Sequence, residues 1–200
     1  MDRAAPTDHP IADVLTARWS PRAFAADRPV TAAQLASLFE AARWAPSSSN
    51  SQPWRFIVAT AAEPDEHARL AGVLSERNRS WAKWAPVLAL GVARVRAEDG
   101  TPMAFGRYDV GQAVGSLVVQ ATSLGLFVHQ MAGYDAAAAR ARYAIPDDCE
   151  PVSAMAIGHL GDPARLPDRM REREGAARVR DPLGSFVFAG RFGTPAPQVR

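Results

Sequence analysis

Residues 45–59 have the sequence APSSSNSQPWRFIVA, in which a short polar loop leads directly into a strand. Pro46 ends a preceding helix, because the residue before a proline is driven out of the helical region. Residues 47–53 are mostly small and polar and predict a loop, whereas residues 54–59 are rich in aromatic and β-branched side chains and predict a strand. Such a loop can offer hydroxyls and backbone N–H groups to a polar ligand. An ordinary solvated loop is the alternative interpretation.

Two helices precede this loop. Pro10 can occupy the first turn of a short helix that has apolar side chains at helical spacing. Arg18 would lie at the end of this helix. Thr31 and Gln34 form a capping-box pattern that begins a second helix. Pro46 then marks the point where the second helix must end.

Downstream of the loop, apolar periodicity predicts further helices and strands. Pro64 opens a third helix that extends to Leu74, and residues 87–93, apolar on both faces, predict a central strand. A long and broadly apolar helix after them is expected in the core or at a subunit interface. The patterns place that helix at about 108–124, strands at 127–131 and 152–157, and an Asp135-capped helix ending near Pro146.

The tail differs from the rest of the chain in composition. From residue 163 onward it is rich in arginine and broken by prolines, which predicts an arm that lies across a surface instead of forming a second core. We therefore expect a single domain over residues 1–200, with a core at about 11–162 and a C-terminal arm at about 163–200.

The composition limits the classes of function. The formal charge of +2, from 23 basic and 21 acidic side chains, is too balanced for the broad cationic surface that nucleic acid or an anionic membrane requires. Cys149 is the only cysteine, which excludes an intrachain disulfide and a cysteine-based zinc site. No apolar stretch has the length of a membrane span, and the N-terminus lacks the apolar region of a secretory signal. These features predict a cytoplasmic protein that binds neither nucleic acid nor membrane.

A cationic segment follows the first helix. Arg18, Ser20 and Arg22 alternate with Trp19 and Pro21, and alternate residues of an extended segment point the same way. Two guanidinium groups and a hydroxyl can therefore converge on one anionic ligand. Surface arginines without a ligand are the alternative interpretation.

Two other segments could contact a ligand. Met131, Ala132 and Gly133 come at the end of a predicted strand, where a glycine lets a flat ring approach the backbone closely. Arg178 and Arg180 lie in the tail. A plain turn and ordinary tail charge are the respective alternatives.

Motifs for a protein nucleophile or a metal are absent from the sequence. His9, His67, His129 and His159 lack metal-ligand spacing, and HExxH, GxSxG and GxxxxGKS/T do not occur. No metal is expected. A structural role is favoured for each histidine, although His129 and His159, next to predicted strand ends, could edge a pocket.

The order and content of these segments resemble the nitroreductase family. The most specific part is the proline- and serine-rich segment 46–54, which lies downstream of the cationic segment 18–24. The resemblance covers about residues 11–192. It also includes DVGQA at 109–113, LGL at 124–126, GYD at 133–135, GHLG at 158–161 and RDPL at 180–183.

The resemblance implies an α+β fold, a nitroreductase-like α/β sandwich in which helices flank a central, mainly antiparallel sheet. It also implies an intertwined homodimer with one FMN in each of two interface sites. Arg18, Ser20 and Arg180 would bind the phosphate, and Arg22 would reach N1 and the C2 carbonyl of the flavin. Met131, Ala132 and the backbone of Gly133 would lie near N5. Contacts from the partner chain would be made by Pro46, Ser47, Ser48 and Asn50. Trp19 and Gln52 are further implied contacts with FMN, and Asn78 is an additional candidate.

By the same resemblance, the chain is expected to be an NAD(P)H-dependent flavin oxidoreductase. Hydride would pass from NADH or NADPH to flavin N5 and then to a small electron-poor acceptor, such as a nitroaromatic or a quinone, by a ping-pong mechanism. Because the flavin carries the hydride, no protein nucleophile is needed.

Alternative functions remain open at this stage. Trp19 and Ala132 depart from the family pattern, in which an arginine and, in some members, an acidic residue stand there, and both departures leave the acceptor undecided. A family relative with another flavin reaction, such as dehydrogenation, dehalogenation or flavin fragmentation, is one alternative. A flavin-binding protein without turnover is the other.

Overall fold

The computed structural model describes residues 3–199, which form seven α-helices and four strands. Met1, Asp2 and Arg200, at the ends of the expected 1–200 domain, lie outside the described residues. The helices are α1 (Asp13–Ala17), α2 (Ala32–Arg43), α3 (Pro64–Ala71), α4 (Glu76–Ala82), α5 (Gly106–Ser123), α6 (Ala136–Tyr143) and α7 (Asp168–Gly175). The strands are β1 (Trp54–Thr60), β2 (Val87–Arg94), β3 (Phe127–Met131) and β4 (Cys149–Gly158). Short 3-10 turns occupy Ser48–Asn50, Pro163–Arg165, Leu183–Ser185 and Pro197–Val199.

The four strands form one antiparallel sheet in the order β1-β2-β4-β3. β2 is central and buried on both faces. Its Leu88 and Leu90 belong to one core cluster, whereas Val87 and Ala89 belong to the other. This arrangement confirms the expected antiparallel sheet and the central strand, because only a strand covered on both sides can be apolar at every position.

Helices cover both faces of the sheet. α5 and α2 pack on one face, where Leu117 and Leu38 are fully buried. The other face carries α3, α4 and α6, with Leu70 and Trp81 in its core. The two layers confirm the predicted helix-flanked sandwich. Among the helices of residues 3–199, none is long and apolar enough to cross a membrane.

The helix caps follow the sequence signals. Thr31 Oγ1 accepts from the backbone N–H of Gln34 at 3.1 Å, and the Gln34 side chain accepts from the backbone N–H of Thr31 at 3.0 Å. Asp135 caps α6 by accepting from the backbone N–H of Ala138 at 2.9 Å. Both capping predictions are confirmed.

Two expectations about helices were wrong. The third helix ends at Ala71 instead of Leu74, because the residues that follow form backbone hydrogen bonds with another segment of the chain. The carbonyl of Val73 accepts from the backbone N–H of Asp135 at 2.8 Å, and Leu74 forms a β-bridge with Tyr134. A separate helix, α4, then begins after Ser75. Pro10 also lies outside the first helix, which begins at Asp13. The tail contains α7, which the sequence patterns did not predict. Its charged composition gave α7 no visible apolar period.

The segment after the cationic residues pairs with the end of β4. Ala25 donates its backbone N–H to His159 at 3.0 Å, and Gly161 donates to Ala23 at 2.9 Å. A Cβ on Gly161 would come 2.4 Å from the carbonyl carbon of Phe24, so only glycine fits this approach. This pairing fixes the cationic segment beside the sheet.

Candidate functional site

Residues from both ends of the chain line a cleft that is rich in arginine. Its volume is about 200 Å³, and Arg18, Ser20 and Arg22 line it together with Arg180 from the tail. Burial first, and then the charge of Arg180, lower the pKa of Arg18, so the two guanidinium groups repel each other across the cleft. Guanidinium groups on a concave surface suit phosphate binding through charge-assisted hydrogen bonds. The remaining lining residues are Arg3, Trp19, Arg173, Glu174 and Arg178.

Arg178 and Arg180 have different roles in this arginine cleft. The guanidinium of Arg178 donates to the carbonyl oxygens of Arg3 at 2.5 Å, Thr16 at 2.9 Å and Arg18 at 2.7 Å. These bonds fasten the tail to the end of α1 and leave Arg178 few donors for a ligand. Arg180 is exposed, and within residues 3–199 its side chain bonds only to the carbonyl that precedes it. Its guanidinium is therefore open to the cleft.

Arg22 lies against a buried carboxylate, Glu174, that the sequence analysis missed. Glu174 is 3% exposed, and its Oε1 accepts from the backbone N–H groups of Arg22 at 2.7 Å and Ala23 at 3.0 Å. Its Oε2 has no hydrogen-bond partner in the described part of the chain and lies 3.7 Å from Nη1 of Arg22. Burial lowers the pKa of Arg22, and the negative charge of Glu174 opposes that shift. Arg22 is thus held at the cleft by an internal counter-ion.

One sequence signal could have revealed Glu174. Met170 and Glu174 are four residues apart in α7, so they share one face of that helix. Leu166 and Met170 pack on the core. A glutamate on the same helix face as a methionine that packs on the core is expected to be buried with a partner, because an unpaired buried charge is costly.

His129 of β3 holds the cationic segment against the sheet. Its Nδ1 donates to the carbonyl of Pro21 at 2.8 Å, and its ring centroid lies 4.6 Å from that of Trp81. The pKa of His129 is lowered to about 4, mainly by burial. The positive charge of Arg22 also lowers this pKa, whereas the hydrogen bond to Pro21 raises it. The ring is therefore neutral at pH 7, with its proton on the nitrogen that faces the carbonyl.

Gly133 lies just beyond β3 in a fixed peptide. Its carbonyl accepts from the backbone N–H of Ser75 at 3.0 Å and from Nδ2 of Asn78 at 3.0 Å. A Cβ at this position would lie 2.7 Å from Asn78 Nδ2 and 2.9 Å from Ser75 Oγ, so a larger residue would have to displace these side chains. The preceding Ala132 is exposed, whereas Met131 is buried at the strand end. Asn78 thus positions the backbone of Gly133.

The loop after α2 has an uncommon backbone conformation. Ser49, Asn50 and Gln52 have φ angles of 51°, 53° and 45°, in the left-handed region that residues with side chains rarely adopt. Ser47 Oγ accepts from the backbone N–H of Gln52 at 3.1 Å and closes the loop. Such conformations persist where the surrounding structure enforces them, and they are concentrated at ligand sites.

Within one chain, this loop and the arginine cleft are separate. Pro46, Ser47 and Ser48 line a cavity of about 230 Å³ beside the start of α5. Asp109, 3% exposed there, accepts from the backbone N–H of Ser48 at 3.1 Å and anchors the loop. No loop residue lines the arginine cleft. The predicted residues thus do not form one site within the chain: the cationic segment lines the arginine cleft, the loop lines a separate cavity, and neither is lined by Met131, Ala132, Gly133 or Asn78.

A larger apolar cleft adjoins the arginine cleft. Its volume is about 520 Å³, and Arg18 and Arg180 line both clefts. Ile11, Leu15 and Phe186 in its walls are 46%, 41% and 59% exposed. Exposed apolar side chains grouped beside a charged cleft are typical of a binding or association surface.

The remaining reactive side chains have structural environments. Cys149 is buried at the start of β4, and burial raises the pKa of its thiol, which disfavours the reactive thiolate. His67 is buried, with Nε2 2.8 Å from the carbonyl of Ala85. Across residues 3–199, no group of three or more His, Cys, Asp or Glu is arranged to hold a metal ion.

This chain is similar to known sequences. A family model described as "Nitroreductase family" matches residues 15–92. A Streptomyces coelicolor protein named "Putative NADH dehydrogenase/NAD(P)H nitroreductase" is 32% identical over 165 residues, covering 72% of this chain and 80% of that protein. A Mycolicibacterium smegmatis protein described as uncharacterized is 37% identical over 126 residues, covering 63% of this chain and 84% of that protein.

Solved structures share the fold. One described as "the oxidoreductase containing FMN" has a TM-score of 0.88 and 36% identity, covering 96% of this chain and 98% of that chain. A nitroreductase family protein of Clostridium difficile 630 has a TM-score of 0.71 at 23% identity, covering 92% of this chain and 100% of that chain, a likeness of fold alone. The chain belongs to the nitroreductase family and is an oxidoreductase.

Proposed function

We propose that the protein binds FMN and passes hydride from NADH or NADPH to a small electron-poor acceptor, such as a nitroaromatic or a quinone. The observation that carries the proposal is the arginine cleft, where Arg18 and Ser20 meet Arg180 from the opposite end of the chain. The FMN in the name of the similar solved structure and the NAD(P)H in the name of the Streptomyces relative support the two cofactors.

The residues present fit FMN at both of its ends. Arg18, Ser20 and Arg180 would hold the phosphate, since they line one cleft and, within the described residues, neither Arg18 nor Arg180 forms an ion pair with a carboxylate. Gly133, whose peptide is fixed by Asn78, would lie with its backbone along the ring beside N5. Bound FMN would supply at N5 the atom that accepts and returns the hydride.

Arg22 would act on the charge that develops during reduction. A reduced flavin carries negative charge over N1 and the C2 carbonyl, and a guanidinium stays protonated even when it is desolvated. Arg22 would therefore stabilise the reduced ring more than the oxidised ring, which is the kind of differential binding that favours electron uptake. Its ion pair with Glu174 would help to keep the guanidinium in place before the ring is reduced.

We also propose a homodimer in which the partner's loop completes each site. Pro46, Ser47, Ser48 and Asn50 do not line their own chain's arginine cleft, which is the arrangement expected if they serve the site of a second copy. The exposed side of α5 supports close approach, because Gly111 and Gly115 have open space where a side chain would lie. The exposed apolar cleft supplies further surface to bury.

The decisive experiment is an absorption spectrum of the purified protein, followed by anaerobic titration with NADH and with NADPH. We expect a flavin spectrum that bleaches with one or both nucleotides and returns when a nitroaromatic or quinone is added. A yellow protein that neither nucleotide reduces would indicate a binding protein. Reduction without transfer to either acceptor would indicate a different flavin reaction.

The order of the two half-reactions provides a second test. Donor and acceptor must each stack on the exposed face of the ring beside N5, so one pocket would serve both and the kinetics would be ping-pong. Initial rates at several fixed acceptor concentrations are expected to give parallel double-reciprocal lines. Intersecting lines would show a ternary complex and contradict the shared pocket.

A further inference from the structure

A second cationic pocket lies between α4 and α7. Its volume is about 260 Å³, and its walls contain four arginines, Arg22, Arg77, Arg169 and Arg173, together with Pro167 and Met170. No acidic side chain lines it. Four arginines beside one small cavity concentrate positive charge there, which favours an anion.

Three of the four positive charges of this pocket have no acidic partner within the described chain. Across residues 3–199, Arg77, Arg169 and Arg173 form no ion pair with an acidic side chain, and only Arg22 has one, with Glu174. Arg169 and Arg173 are also four residues apart on α7, a spacing at which like charges destabilise a helix. The positive charges of Arg173 and Arg77 add to the effect of burial in lowering the pKa of Arg22. A bound anion would relieve this repulsion.

The position of the pocket points to a substrate and not to the phosphate of FMN. Arg18, Ser20 and Arg180 do not line it. Arg22, the proposed contact of the flavin pyrimidine edge, lines both the pocket and the arginine cleft. Arg77 precedes Asn78, which bonds to the carbonyl of Gly133 at 3.0 Å. The pocket is therefore adjacent to the residues proposed to flank the reactive part of the ring.

We infer that this pocket binds a phosphate or carboxylate group of the molecule that reacts at the flavin. The inference rests on the proposed function. The anionic group has two possible sources, the phosphates of the hydride donor and a carboxylate on the acceptor. Either source gives the enzyme a preference for anionic substrates over neutral analogues, because the guanidinium groups attract only the former.

Two double variants with the same change in charge test the inference. Arg77→Gln/Arg169→Gln removes two charges from the pocket and none from the arginine cleft. Arg79→Gln/Arg171→Gln removes two exposed charges from the same helices but none from the pocket. Both proteins should retain FMN and melt within a few degrees of the wild type, because all four side chains are exposed.

Stopped-flow measurement of each half-reaction identifies the source of the anion. If the pocket binds the donor, the concentration of NADH or NADPH that half-saturates flavin reduction should rise about tenfold in the pocket variant and stay unchanged in the control. If it binds the acceptor, the same rise should appear with 4-nitrobenzoate and not with nitrobenzene. Equal behaviour of the two variants with every substrate would overturn the inference.

A binding measurement separates failure of this inference from failure of the proposed function. If the protein holds no FMN, or neither nucleotide reduces it, the proposed function is wrong. Calorimetric titration with inorganic pyrophosphate and with benzoate then still examines the pocket. Weaker binding of either probe to Arg77→Gln/Arg169→Gln than to the control supports an anion site, and identical binding to both variants rejects it.

Discussion

Arg18 is the residue whose removal should distinguish phosphate binding from ring binding. It lines the arginine cleft together with Arg180, whereas Gly133, whose backbone would lie along the ring, does not line that cleft. Charge-assisted hydrogen bonds contribute roughly 1.5–3 kcal/mol each, so Arg18→Ala should weaken FMN binding at least about tenfold. Riboflavin, which lacks the phosphate, should bind almost as before.

Fluorescence titration of both flavins checks this prediction. Arg165→Ala is a suitable control, since this exposed arginine does not line the cleft. An equal loss of affinity for FMN and for riboflavin would assign Arg18 to the ring or to the fold.

Arg22 and Glu174 should shift the flavin midpoint potential in opposite directions. Arg22→Ala should lower it, because a positive charge that favours the reduced ring is lost, and Arg22→Lys should recover part of the change. Glu174→Gln should raise it, because the guanidinium loses its counter-ion while the amide oxygen still accepts from Arg22 and Ala23. Glu172→Gln, on the exposed side of α7, is the matched control.

Spectroelectrochemistry of the FMN-loaded variants measures these potentials. An unchanged midpoint potential in Arg22→Ala, with only FMN affinity lost, would indicate that Arg22 binds the phosphate of FMN and not the ring. An unchanged potential in a correctly folded Glu174→Gln protein would reduce Glu174 to a purely structural contact with the backbone.

The packing of the cationic segment on β3 makes the fold sensitive to acid. His129 has a pKa of about 4 in the folded protein and an ordinary value near 6.5 when unfolded. Well above pH 6.5 the ring is neutral in both the folded and the unfolded state, so its titration does not change the free energy of unfolding. As the pH falls from 6.5 to 4, only the unfolded chain takes up the proton, so the free energy of unfolding falls by up to about 1.4 kcal/mol per pH unit.

Urea unfolding at a series of pH values tests this prediction. The slope between pH 6.5 and 4 should be smaller in His129→Gln than in the wild type, whereas His9→Gln, altered at an exposed position, should keep the wild-type slope. If His129→Gln keeps the full slope, other groups cause the acid sensitivity.

The assembled protein should be a homodimer. Sedimentation at micromolar concentration is expected to give twice the chain mass of 21.5 kDa. Gly115→Arg places a bulky charge on the open side of α5, so it should shift the protein toward monomer and weaken FMN binding. Ala62→Arg, in the exposed turn after β1, is the control. A wild-type monomer that is folded and loaded with FMN would refute the dimer.

Local sequence signals predicted much of the secondary structure. The capping pattern of Thr31 and Gln34, the apolar run of β2 and the cap at Asp135 each act through neighbours in the chain, and the structure has all three. α7 was not predicted because its stability depends on packing Met170 and Glu174 against other elements. The break between α3 and α4 has the same cause, since Val73 bonds to a residue far along the chain.

For the candidate site, the sequence by itself determined which side chains are available: the alternating Arg18, Ser20 and Arg22, and the polar loop before β1. Only the tertiary structure decided how they are used. In the fold, Arg180 lies beside Arg18, Arg178 donates hydrogen bonds to backbone carbonyls, and Glu174 is buried against Arg22. The physical reason is that the type of charge is a property of one residue. The environment that sets its partner and its pKa is built by segments distant in sequence, which meet only when the core packs.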